Sequence, residues 1–436
     1  MQDDEAARAL ETRTTRKVFW RLIPACFGLY MISYLDRANI GYAALQMNHD
    51  LALTSEAFGF AAGVFFLGYF LFEVPSNIAL NRFGPRIWIA RILLTWGAVS
   101  ILTAFVQNAA QLYVLRFLLG VAEAGFFPGI IVYLTYWVRA KEQAATVAFF
   151  LAAIPASYLL GAPLSTLIME RMNDVMGFGG WRWMIFLEGV PAVIGGVGAY
   201  WLLTDRPKDA KWLTPEERNW LETRIEADHA RRGGVRHLGT VKAMLAPGVL
   251  YLSAIYFIYQ CGNLGIGYWT PQIVKHLSKS LTAFQIGLVS AAPYAVATVA
   301  MVLWSKNSDR TGERRWHSAL PLLVAGLALA ATVLTRDIVL SMVLLTLALT
   351  GLYAFKSPFW SLPGLFLTRS SAAVSVAVIN SIGNLGGFAG PYALGWVKTR
   401  TGDPAKGLLF LAVLTLVAFA MTAAARLNTT AAERRT

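Results

Sequence analysis

The chain has 436 residues, of which 56% are apolar by type, 13% aromatic and 14% charged, with a mean hydropathy of +0.51. Soluble proteins carry about 25% charged and about 45–50% apolar residues, so a string of soluble domains, a disordered chain and, with cysteine only at 26 and 261, a disulfide scaffold are all excluded. The net charge of +13 does not indicate nucleic acid as a partner, because the lysines and arginines are scattered in short runs between apolar segments rather than gathered on one face.

A membrane-spanning helix needs about 20 apolar residues. Such stretches fall at 20–42, 57–80, 86–107, 110–138, 144–169, 184–204, 247–274, 283–305, 317–335, 338–362, 370–397 and 405–426. The expected architecture is therefore an all-α membrane protein with twelve transmembrane helices in two pseudo-symmetric six-helix bundles. Its expected parts are a cytoplasmic N-terminal segment 1–19, a first bundle 20–204, a cytoplasmic linker 205–246, a second bundle 247–427 and a cytoplasmic tail 428–436. With the N-terminus placed inside, 27 of the 38 Lys and Arg residues lie in cytoplasmic segments, as the positive-inside rule requires of a cell-membrane protein, with both termini cytoplasmic and a bacterial inner membrane as its expected location. Met1–Arg16 is mixed in charge and has no apolar core, so it does not read as a signal peptide.

The two halves repeat one turn. Asn81-Arg82-Phe83-Gly84-Pro85-Arg86 joins the second and third helices, and Asp309-Arg310-Thr311-Gly312-Glu313-Arg314 joins the eighth and ninth, with Arg, Gly and Arg at a constant offset of 228. Glycine supplies a tight turn, and the arginines favour helix C-termini and the cytoplasmic side. Two copies in matching loops of a six-plus-six chain indicate duplicated transporter halves. Within the linker, Thr214, Pro215 and Glu217 set up a capped helix with an apolar stripe of Trp220, Leu221 and Ile225. That helix is expected along the inner membrane face, tying the halves together, with a regulatory docking site as the alternative.

With the repeated turn in place, the sequence resembles the major facilitator superfamily. Further strings resemble its anion:cation symporter branch, closely the bacterial tartrate-type and related organic-acid permeases. They are Tyr34-Leu35-Asp36-Arg37, the stretch 68–77 around Tyr69 and Glu73, the stretch 116–129 from Arg116 through Glu123 to Gly129, Trp181-Arg182-Trp183 with Leu187-Glu188-Gly189, and Leu213-Thr214-Pro215-Glu216-Glu217-Arg218. The resemblance covers residues 20 to 427. One departure is Asn81, where the superfamily usually has Asp in the first turn.

The charged residues at membrane depth, away from the span ends, are Asp36, Arg37, Glu73, Arg116, Glu123, Glu188 and Lys356, six of them in the first half. Each costs at least about 2.5–3.5 kcal/mol at membrane depth, so each needs a cavity, a partner or a task. Asp36 and Arg37 are adjacent and point about 100° apart, one toward the cavity and the other toward a neighbouring helix. Arg116 and Glu123 share a helical stripe about 10 Å apart along the axis, too far to pair directly. The expected chemistry is an arginine, Arg37 or Arg116, gripping a substrate carboxylate through its planar fork, while Asp36 or Glu123 carries the coupled proton. The resemblance implies the same assignment. The alternative is a purely structural charge network between helices one and four.

Other candidates complete the pocket. Lys356 precedes Ser357-Pro358 and is either a second cation for a dianion or a lysine reaching for a polar edge. Tyr34, Tyr69, Asn380 and Asn384 offer hydroxyls and amides to a hydroxy acid, with Asn263, Tyr268 and Trp269 as weaker candidates. Glu73 and Glu188 are expected as gate or interhelical hydrogen-bond partners, and Arg82, Gly84, Arg86, Asp309, Arg310, Gly312 and Arg314 as gate and turn residues. No histidine lies deep in a span and no GxxxxGK[ST] string is present, so neither a metal centre nor ATP is expected. The function expected is uptake of a small organic anion, a hydroxylated mono- or dicarboxylate such as tartrate, in symport with protons, by a monomer that is not an enzyme and needs no cofactor. The rivals are an exporter of lipophilic compounds, a membrane sensor without flux and a polytopic membrane enzyme.

Overall fold

The computed structural model describes residues 2–231, 245–362 and 369–425, and every regular element among them is helical. The tail 428–436 and linker residues 232–244 lie outside the described residues. Eleven units are long and apolar enough to cross a membrane, and the stretch at 370–397 supplies the twelfth as two shorter helices.

In chain order the first half holds α1 Gln2–Asp50, α2 Ser55–Phe83, α3 Pro85–Thr103, α4 Ala109–Glu123, α5 Phe126–Thr135, α6 Ala140–Leu151, α7 Ala153–Arg171 and α8 Gly180–Leu202. The linker helix is α9, Pro215–Arg231. The second half holds α10 Pro247–Leu277, α11 Ala283–Thr311, α12 Arg315–Ala331, α13 Ile338–Ser361, α14 Arg369–Asn384, α15 Gly386–Thr401 and α16 Pro404–Ala424. The side carrying the N-terminal end of α1, α9 and the two repeated turns is termed here the basic side, and the opposite one the far side.

Two expectations about helix limits need correction. The segment 1–19 does not stand apart from the first span: α1 runs unbroken for 49 residues, about 74 Å at 1.5 Å per residue, and so projects well beyond a bilayer core on the basic side. The span at 110–138 is not one helix either. Gly125 has φ +84°, and a Cβ there would lie 2.4 Å from Ser76 Oγ, so α4 ends at Glu123 and α5 restarts at Phe126. Only glycine combines that left-handed conformation with that closeness.

Within the halves, α3 lies along α8, α2 along α4, and α1 against α7 and α8; in the second half α12 packs on α13 and α16, and α11 on α13. Between the halves α2 runs antiparallel to α15 and α14 and α7 antiparallel to α11, while α1 runs parallel to α10, with Gly41 against Tyr268 and Asn48 against Gln272. The α2 seam is close: Cβ atoms at Gly59 and Gly63 would lie 2.5 Å from Pro391 O and 2.8 Å from Phe388 O. It begins at the far side, where Glu56 N–H donates to Thr399 Oγ1 at 2.9 Å, and reaches Glu73, whose Oε2 accepts from Ser381 Oγ at 2.7 Å. Tyr158 of α7 stacks on Tyr294 of α11, with ring centroids 4.4 Å apart. Among the described residues no comparable pairing joins α5 or α6 to the second half. The close pairings between the halves among the described residues gather at the far side.

The repeated turns form as the spacing implies, with positive φ at Gly84 and Gly312, whose N–H groups return to Leu80 O and Ser308 O. In the second turn Arg314 Nη1 pairs with Asp309 Oδ1 at 2.7 Å. In the first, where Asn81 replaces the acid, Asp205 from the start of the linker comes over Gly84 and accepts from the Arg86 N–H at 2.9 Å. Arg86 itself donates to Tyr200 O at 2.7 Å, while Arg82 and Arg310 are exposed.

The linker helix has its capping box: Glu217 N–H donates to Thr214 Oγ1 at 3.2 Å, and Thr214 N–H to Glu217 Oε2 at 2.9 Å. It docks on the basic-side extension of α1, where buried Glu217 meets Lys17 and Arg13, each at 2.8 Å. Burial pushes the Glu217 carboxyl up, but the Lys17 ammonium, the Thr214 amide and Arg13 together outweigh it and hold the group below its ordinary value. Arg139 completes the cluster with Glu11 and Glu142 and lies 4.9 Å from the Trp220 ring. The described partners of α9 belong to the first half.

Candidate substrate and proton site

At mid-membrane α1, α2 and α4 bring Arg37 and Glu123 together. Arg37 Nε donates to Glu123 Oε1 at 2.8 Å, and Ser33 Oγ donates to the same oxygen at 2.5 Å. The guanidinium is walled by the rings of Tyr69, Tyr34 and Phe65, with centroids 5.0, 5.3 and 5.3 Å from its carbon. Its Nη2 is buried and has no hydrogen-bond partner. Glu123 thus takes one edge of the fork and leaves a terminal nitrogen for another acceptor. Because α4 stops at Glu123, this carboxylate stands at the break between two helices rather than inside a continuous one.

Asp36 points the other way, as the adjacent positions require. Its carboxylate is buried against α3 and accepts from Ser100 Oγ at 2.7 Å, from Asn39 Nδ2 at 2.9 Å and from Trp96 Nε1. Three donors suit a negative charge held away from the cavity.

Arg116 differs from the expectation of a substrate-gripping arginine. It is 2% exposed, and its Nε and Nη2 donate to Ala61 O at 3.3 Å and Ala62 O at 3.5 Å. Its other face meets Phe65 at 5.2 Å, and Tyr268 of α10 lies beside it. The cause is position: Arg116 sits one layer toward the far side, inside the closed seam, where carbonyls of α2 are the acceptors within reach. Arg116 and Glu123 do not pair with each other, and each meets a different group.

Across the gap, Gln260 of α10 donates from Nε2 to Asn384 Oδ1 at 3.4 Å and accepts from Asn263 Nδ2 at 3.3 Å. Asn380 is half-buried on the same helix as Asn384. Lys356 is half-buried and forms no ion pair among the described residues. Glu73 bridges the halves through Ser381, and Glu188 takes a 2.6 Å hydrogen bond from Ser165. Trp269 is not at this level: it packs on Phe58 and Lys398 at the far side, its N–H on Pro391 O.

Several site residues carried no charge to betray them. Phe65 separates the two arginines; Ser33 fixes Glu123; Asn39, Trp96 and Ser100 hold Asp36; Gln260 orders the amides. Ser33 and Arg37 are four apart on α1 and Asn39 is three from Asp36, spacings that place them on shared faces.

Two bundles closed over one buried, half-engaged guanidinium define a secondary membrane transporter. The chain belongs to the Major Facilitator Superfamily, whose family model matches residues 26–391. It is 49% identical over 439 residues to an Agrobacterium vitis protein named "Putative tartrate transporter", covering all of this chain and 96% of that one. An Acinetobacter baumannii protein named "Quinolone resistance transporter" is 36% identical, covering 94% of each chain. Among solved structures, an inward-facing, occupied bacterial homologue of the human lysosomal transporter Spinster superposes with a TM-score of 0.75 at 16% identity, covering 95% of this chain and 97% of that one. The protein is a transporter and not an enzyme.

Proposed function

We propose that this transporter takes up a small hydroxylated carboxylate, tartrate or a close analogue, together with protons. The observation that carries the reading is Arg37, whose Nε is held by Glu123 while its buried Nη2 has no partner. A carboxylate entering the gap completes the fork with a charge-assisted bond. Tyr34 and Tyr69 beside the guanidinium, and Gln260, Asn263, Asn380 and Asn384 opposite, supply donors for hydroxyls and a second carboxylate.

Substrate and Glu123 compete for one cation. When Glu123 takes a proton its hold on Arg37 weakens and the arginine turns fully to the substrate; when the substrate leaves, Glu123 ionises and recaptures the arginine. The loaded site then carries less net charge than a site with free substrate and ionised acid, which favours the rocking of one bundle against the other. Asp36 is the second acid of this scheme. The reading places both termini in the cytoplasm of a bacterial inner membrane, with a monomer as the working unit and no cofactor other than the transported proton. The name of the Agrobacterium vitis relative supports the substrate class.

A second reading, export of lipophilic compounds, is favoured by the name of the Acinetobacter baumannii relative. Arg37 and its free nitrogen have no use in that reading. One experiment separates the two: purified protein in liposomes, acidic outside, with labelled tartrate or a quinolone. Accumulation of tartrate that collapses with the pH gradient supports uptake by symport. Quinolone flux without tartrate flux overturns it.

A further inference from the structure

A second pair of acids lies in the first bundle beyond the substrate gap. Glu188 stands about 12 Å along the axis of α8 from its far-side end and is 3% exposed. Its Oε1 accepts from Ser165 Oγ of α7 at 2.6 Å, whereas Oε2 is buried without a partner. From α1, Asp36, Asn39 and Tyr42 face its carboxyl; from α7 only Ser165 does, and α3, packed along α8, contributes no titratable group there among the described residues. No cation pairs with Glu188 among the described residues.

Asn39 ties the two carboxyls together. Its Nδ2 donates to Asp36 Oδ1 at 2.9 Å, and the same amide lies beside the Glu188 carboxyl on its donor side. The donors are divided unevenly: Asp36 has three close ones, whereas Glu188 has Ser165 close by and only a share in Asn39. A buried carboxylate with no counter-charge costs several kcal/mol, and two such charges on one amide repel each other. The arrangement therefore suits one charge, resting on Asp36, and one proton, resting on Glu188.

We propose that Glu188 is a proton-binding acid of this carrier, neutral at physiological pH in the conformation seen here, and that it shares a single negative charge with Asp36 across Asn39. Protonation of either acid favours ionisation of the other, so the pair titrates as a unit. The sharing stands on the geometry alone; its link to uptake rests on the proton-coupled reading above.

The test is infrared spectroscopy of the purified full chain in detergent at pH 7, with the glutamates labelled by ¹³C at the side-chain carboxyl. A protonated-glutamate carbonyl band, displaced by the label, is expected. It should survive in Glu73→Gln and in Glu123→Gln and vanish in Glu188→Gln. A wild-type protein without such a band overturns the proposal, whether or not the Gln variant folds, and so does a band that disappears with Glu73 or Glu123. In liposomes, proton-driven tartrate uptake by Glu188→Gln should lose the wild type's dependence on outside pH in part, because one of the two acids that exchange the proton is gone. An unchanged pH profile severs Glu188 from transport, while a wild type that moves no tartrate at all defeats the substrate reading and leaves the infrared result to decide protonation.

Discussion

Replacing Arg37 by lysine keeps a positive charge in place and removes the planar fork. In the protein Arg37 holds Glu123 through Nε at 2.8 Å and has Nη2 to spare. A lysine ammonium can reach Glu123 or a substrate carboxylate, but it does not present coplanar donors to both. The loss at the substrate is about one charge-assisted hydrogen bond, roughly 1.5–3 kcal/mol, or about a 10- to 150-fold rise in the apparent KM. The ring contacts with Tyr34, Phe65 and Tyr69 are weakened with substrate present or absent, so that part of the change appears in stability. Arg116→Lys is the control with the opposite pattern. It gives up two long bonds to carbonyls, at 3.3 and 3.5 Å, for about 1–2 kcal/mol of stability, and its apparent KM should stay within about threefold of the wild type. Counterflow of labelled tartrate in liposomes gives the KM, and thermal melting in detergent gives the stability. Wild-type affinity in Arg37→Lys, or an equal loss in Arg116→Lys, refutes the division of labour between the two arginines.

Three further outcomes are expected. Glu123→Gln should keep tartrate exchange between equal pools and lose accumulation driven by a pH gradient, since the amide can still accept from Arg37 but cannot cycle a proton; retained accumulation removes Glu123 from the coupling. Gly63→Val puts branched carbon where even a Cβ would lie 2.8 Å from Phe388 O and should wedge the far-side seam, seen as a longer spin-label distance between the far ends of α2 and α15 and as loss of exchange. Glu217→Ala removes a cap and two ion pairs and should cost about 1–2 kcal/mol locally, read as faster amide exchange across 215–231. Because the folded Glu217 carboxyl titrates below its unfolded value, its contribution is complete above the unfolded value of about 4.3. It fades as pH falls through the folded value, so wild-type protection of α9 should drop in that acid range alone.

The sequence made the membrane class, the duplicated halves and the charged centre legible, because runs of about 20 apolar residues and charges inside them are costly and stand out. The division between Asp36 and Arg37 also followed, from the 100° step between neighbours. Other features depend on which helix lies opposite, and spacing along one helix does not contain that. Arg116 and Arg37 are both arginines in apolar helices, and only the closed far-side seam makes one a partner of carbonyls and the other half-free. The break after Glu123 was concealed because Ala124-Gly125 sits within an apolar run; the left-handed turn is imposed by the approach of Ser76 from α2. Phe65 went unnoticed among many phenylalanines, although it contacts both guanidinium groups.

Asp205 carries a consequence for how this protein can be recombined with its relatives. The carboxylate that steadies the first repeated turn comes from the strand of chain leaving the bundle and not from the turn itself, so the two segments form one inheritable unit. A chimera that exchanges the connector at residue 205 while keeping Asn81 would leave the Arg86 amide without its acceptor, and restoring Asp at position 81 would be the compensating change to try.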